Sequence, residues 1–114
     1  MPSGCVPAET DAVRTLGFAA IGGAYAVIGA EFGHTVRMMR LVNLTDGGLM
    51  FTDDRTVDKW PVPAGSFVLY DYAANSKPAE GNLALAEGTQ IYVRNVSAIT
   101  LGAAYVECTY AKGQ

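Results

Sequence analysis

VRMMRLVNL (residues 36–44), then TDGG (45–48) and LMFT (49–52), is the stretch whose reading decides the fold. At period two, Met38, Val42 and Leu44 share one face, while Arg37, Met39, Leu41 and Asn43 share the other, as in a β-strand. Thr45-Asp46-Gly47-Gly48 carries turn chemistry: Asp for local hydrogen bonds, Gly for positive φ. Residues 49–52 resume as a strand, so the segment predicts a hairpin.

The same grammar continues downstream. Asp53-Asp54-Arg55 is a polar break, and Trp60 precedes Pro61 and Pro63, which suits a sheet edge where no ladder N–H is needed. Residues 66–72 (SFVLYDY) alternate Phe67, Leu69 and Asp71 against Val68, Tyr70 and Tyr72. A loop over 73–81, a short strand at 83–86 and a turn at Glu87-Gly88 lead to a strand over 89–96, with Ile91 and Val93 facing one way. The last strand, 104–111, sets Tyr105, Glu107 and Thr109 against Val106, Cys108 and Tyr110. Upstream, the uncharged residues 16–30 are too short to cross a bilayer as a helix and carry Gly17, Gly22, Gly23 and Gly29. They predict strands at 13–21 and 25–29 joined by Gly22-Gly23 in a primed turn, with a buried Ala/Gly-rich helix as the alternative.

No segment shows a capped 3.6-residue stripe. Eight or nine short antiparallel strands, with turns about every ten residues, predict an all-β single domain, a β-sandwich or jelly roll, over residues 12–111. Residues 1–11, with Pro2, Gly4 and Pro7, predict an extended N-terminal arm, and 112–114 a frayed tail. A chain of 114 residues has room for one domain. It buries roughly 65% of its unfolded surface, enough for one thin core.

Composition narrows the function classes. Charged residues make up 17% of the chain and hydrophobic ones 50%, leaving few charges to dress a surface and favouring partner contact. Net charge is −3, and the eight Lys and Arg are scattered, so no positive face exists to neutralise phosphates and nucleic acid is not an expected partner. Nor is a membrane. Cys5 and Cys108 read as thiols of a reducing cytoplasm, with a staple between the chain ends as the alternative.

Catalytic chemistry is sparse. His34 is the one histidine, which excludes a multi-histidine metal centre, and Gly33-His34-Thr35 sits in no nucleophile pattern. The glycines of 29–33 only echo a phosphate loop and lack its lysine. Asp46, Asp53, Asp54 and Asp58 do not match a calcium loop and read as solvated turns. Asn43-Leu44-Thr45 and Asn95-Val96-Ser97 are chance sequons in a protein that is not secreted. No carboxylate pair stands out. No catalytic, cofactor or metal residue is assigned, and the chain is not read as an enzyme.

The order of its strand and turn words carries a resemblance. Asn43-Leu44-Thr45-Asp46, Leu49-Met50-Phe51-Thr52-Asp53, residues 63–71 (PAGSFVLYD), Glu87-Gly88-Thr89-Gln90-Ile91-Tyr92-Val93 and Gly102-Ala103-Ala104-Tyr105-Val106 together resemble small virion structural proteins of tailed bacteriophages, over roughly residues 13–111. The resemblance implies a non-enzymatic part of the virion, made in the host bacterial cytoplasm, that packs with other virion proteins and with its own copies. A neck or tail adaptor, or fibre anchor, competes with a capsid cement or decoration protein. A carbohydrate- or receptor-binding sandwich is the alternative from another class. Trp60, Tyr70 and Tyr72 are the candidate interface residues, because aromatics give large contact area with few rotors to freeze. The opposing reading is that they fill the core.

Overall fold

The computed structural model describes residues 8–10, 12–71 and 87–111. Among the described residues nine strands run β1 (Ala8–Thr10), β2 (Arg14–Gly17), β3 (Ala26–Val27), β4 (Met38–Asn43), β5 (Leu49–Thr52), β6 (Trp60–Val62), β7 (Ser66–Asp71), β8 (Tyr92–Asn95) and β9 (Ala103–Ala111). A 3₁₀ turn, Phe18–Ala20, follows β2. The protein is all-β: one sheet has β9 between β4 and the pair β1, β2, with β7 beyond β4, and the second sheet has the order β3-β8-β5-β6.

The pairing is nested. β5 pairs with β6, β4 with β7, β3 with β8 and β2 with β9, all antiparallel. The chain is thus a long two-stranded ribbon, β2 to β5 running out and β6 to β9 running back. Rolling that ribbon brings β4 against β9 and β5 against β8, which closes two sheets.

Alternation decides what lies between them. From the first sheet Met39, Leu41, Ala104, Val106 and Cys108 point inward; from the second come Leu49, Phe51, Val62 and Val93, all buried. Ile28, Phe32, Val36 and Ile91 complete the core from the connections. Each fully buried large side chain contributes about 1.5–3 kcal/mol. Pro61 lies on edge strand β6, as its missing N–H requires.

Two expectations need correction. Residues 45–48 do not close a hairpin: β4 belongs to one sheet and β5 to the other, so this turn is a corner of the sandwich. Residues 13–21 and 25–29 do not pair either. β2 joins β9 and β3 joins β8, and Gly22-Gly23 lies in the crossover, where Gly22 O accepts from Asn95 N at 2.9 Å. Within the expected extended arm, residues 8–10 form a strand paired with β9. From Thr10 to Arg14 there are four steps, where β9 has three from Thr109 to Val106, so this edge carries one extra residue. The expected loop at 73–81, strand at 83–86 and tail at 112–114 lie outside the described residues.

The corner at 45–48 is held by a polar centre. Asn43 is fully buried, and its Nδ2 donates to Gly47 O (2.8 Å) and Val62 O (2.9 Å). Its Oδ1 accepts from Thr45 N (2.9 Å) and Thr45 Oγ1 (2.5 Å), and Thr45 Oγ1 also reaches Gly47 O. Every donor of this side chain is used, the condition under which a buried amide is tolerated. Gly102 packs beside it with φ +93°; a Cβ there would stand 1.9 Å from Leu44 O.

Candidate functional site

The outward face of the first sheet is built by the residues that β4, β7 and β9 turn away from the core. At one level Phe67, Val42, Tyr105 and Thr15 lie side by side across β7, β4, β9 and β2. At the next, Leu69, Arg40 and Glu107 do the same, and Met38 follows beside Thr109. Phe67 is 56% and Leu69 53% exposed, in mid-strand positions where the inward neighbours Val68 and Tyr70 are half-buried. Arg40 and Glu107 form an ion pair in the middle of this field, and the Arg40 guanidinium lies 5.3 Å from the Phe67 ring centroid. The Glu107 hydrogen bond holds Arg40 more firmly protonated. A shallow groove of about 520 Å³ runs along Met38, Arg40, Phe67, Leu69, Glu107 and Thr109.

The second sheet presents a different outer surface. Arg94 Nη2 meets Asp58 Oδ2 at 2.7 Å, the Tyr25 hydroxyl donates to Asp58 Oδ1, and Arg94 lies over the Tyr25 ring. Arg55 covers Tyr92 in the same way. Its aromatics are thereby dressed with charge. Burial and then the Asp58 contact raise the Tyr25 pKa, and the Arg94 and Tyr25 hydrogen bonds hold Asp58 below the usual carboxylate range.

The four aspartates weighed from the sequence take separate structural work. Asp46 accepts from Thr100 N at 2.8 Å and from its hydroxyl, Asp54 caps Thr56, Asp53 meets Lys59 at 2.6 Å, and Asp58 meets Arg94. Among the described residues no three His, Cys, Asp or Glu side chains converge. His34 stacks on Tyr110 with centroids 3.8 Å apart and planes at 9°. Asn43, the first sequon asparagine, is buried and committed to the corner. Among the described residues no helix is long and apolar enough to cross a membrane.

Of the candidate interface aromatics, Trp60 and Tyr70 are brought together, with centroids 5.9 Å apart, but half-buried against the core at the margin between the two sheets. Burial raises the Tyr70 pKa. Tyr72 lies outside the described residues. Phe67 and Leu69, on the opposite face of the same strand as Tyr70, are exposed instead. Sequence reading separated the two faces of 66–72 without singling out this pair, because both faces carry large apolar groups. Comparison with protein families, with curated proteins and with solved structures returns no match.

Proposed function

We propose that this chain is a non-enzymatic structural component of a tailed-bacteriophage virion, working through symmetric protein–protein contacts at the neck or tail. The observation that carries the contact role is the first sheet's outward face, where Phe67 and Leu69 stand exposed in mid-strand around one ion pair. Exposed apolar side chains grouped on one sheet face are what a contact surface offers, and a chain with 17% charged residues does little to mask them. The nested strand order supports reading the sandwich as a jelly roll, an architecture used by capsid and lectin domains among others. The assignment to a virion rests on the resemblance of residues 13–111 to phage structural proteins, an argument by analogy.

Mass spectrometry of purified particles, followed by imaging of the position this chain occupies, tests the proposal. A sixfold or twelvefold ring at the neck or tail supports it. Threefold clusters over the shell would make the chain a capsid cement instead. Absence from particles would overturn the virion role.

A further inference from the structure

We infer that the face formed by β2, β9, β4 and β7 is a twofold interface between two copies of this chain. The inference rests on the contact-protein reading above and gives it a surface and a partner. The strand registers carry it. Place a twofold axis parallel to the strands, midway between β4 and β9, with the two sheets packed face to face about 10 Å apart. β4 of one copy then lies over β9 of the other, and β7 over β2.

Because Arg40 and Glu107 are register partners, the axis sets Arg40 of each copy over Glu107 of the other. Val42 meets the second copy's Tyr105, and Phe67 meets its Thr15. Leu69, on the level of Arg40 and Glu107, lies over the stretch of the second copy that leads into Arg14, where Val13 is 49% exposed. Arg40 and Glu107 each face their complement, and the apolar groups named face apolar or small ones. An uncharged foreign partner would bury the same ion pair without adding a complement, which is costly. At about 3.3 Å per residue and about 4.8 Å between strands, the four, nine, six and six residues of β2, β9, β4 and β7 give a flat footprint of about 400 Å² per copy, hence about 800 Å² for the pair, the size of a weak, transient contact.

Two reversed-charge chains test this without confusing the contact between copies with the pair inside one chain. Arg40→Glu and Glu107→Arg should each weaken self-association at least about tenfold, since each makes like charges face across the axis. Mixed in equal amounts, they should form a heterodimer about as tight as the wild type, visible by native mass spectrometry. In that mixture the intrachain pair is still broken in both chains, so rescue reports only the contact between copies. Phe67→Asp should abolish the dimer while lowering the stability of dilute protein by no more than about 1 kcal/mol, because Phe67 is exposed in the monomer.

A wild type that stays monomeric, as it would if another protein or the chain's own residues cover the face, overturns the inference. So does a mixture no tighter than either variant alone. Monomeric protein that is nonetheless found in particles would sink the interface and leave the virion reading standing; a dimer that behaves as described but is absent from particles would do the reverse.

Discussion

Asn43→Ala should destabilise the fold by about 2–5 kcal/mol, and the structure shows where the loss arises. The substitution removes two donated and two accepted hydrogen bonds at a site with no solvent access. Gly47 O keeps a donor, because Thr45 Oγ1 reaches it at 2.8 Å. Thr45 N loses its acceptor, and a buried group left unpaired costs about 1–3 kcal/mol; Val62 O loses the Asn43 amide but keeps the ladder bond of the Leu49–Val62 pair. That one group, with about 0.5–1.5 kcal/mol net for each further bond lost, sets the range, a large share of the roughly 5–15 kcal/mol a domain possesses. Urea denaturation of the two proteins, with matched slopes, measures it. A loss below about 1 kcal/mol would show that the corner does not depend on this side chain.

Asn43→Asp sharpens the test. Its carboxylate would face the two carbonyl oxygens, so folding favours the protonated acid and the folded-state pKa lies above the unfolded value of about 3.9. The penalty should therefore grow as pH rises above about 4 and shrink on acidification. A penalty independent of pH would contradict this geometry.

Gly102→Ala combines a positive φ with a Cβ 1.9 Å from Leu44 O, and should cost more than about 3 kcal/mol or prevent folding, whereas Gly65→Ala (φ +70°, open space) should cost about 1 kcal/mol; thermal melts rank the two. Asp46, Asp54 and Asp58 are held below their ordinary value of 3.8, Asp46 and Asp54 chiefly by Thr100 and Thr56 and Asp58 by Arg94. Their contribution is present above pH 3.8 and lost as pH falls through the lower folded values, so an acid titration followed by circular dichroism should steepen below that point, and less so in Asp58→Asn. Arg14 Nε donates to Ala30 O at 2.7 Å, Nη2 donates to Glu31 O at 3.2 Å, and the guanidinium lies 4.7 Å from the Phe32 ring centroid. Arg14→Met should speed amide exchange at Ile28 and Phe32, whose N–H groups bond Ile91 O and Thr89 O, at least about tenfold, while β4 amides stay unchanged.

Strand positions and faces were legible in the sequence, because period two depends only on near neighbours. β4 turns Met39, Leu41 and Asn43 inward as one set, and Ile91 and Val93 are buried together, both as their alternation requires. Pairing was not legible. Asp46-Gly47 and Gly22-Gly23 have hairpin chemistry, yet each joins strands of different sheets, since the partners of β2 and β3 lie some sixty to ninety residues away. Local turn residues cannot distinguish a hairpin from a corner when the ribbon closes only at β5–β6. Nor could alternation decide which side of 66–71 meets water: Phe67 and Leu69 are as apolar as Val68 and Tyr70, and the choice was made by packing against Trp60. A fully buried Asn43 inside an apolar run was the one polar mark that could have revealed the corner.

Sedimentation velocity of the unmodified chain, from about 1 μM to about 200 μM beside Phe67→Asp, tests the contact account most directly, because a contact of about 800 Å² is weak and fills only toward high concentration. The account predicts a sedimentation coefficient that rises with concentration toward a dimer in the wild type and stays monomeric in the variant. Identical monomers across the whole range in both proteins would contradict it.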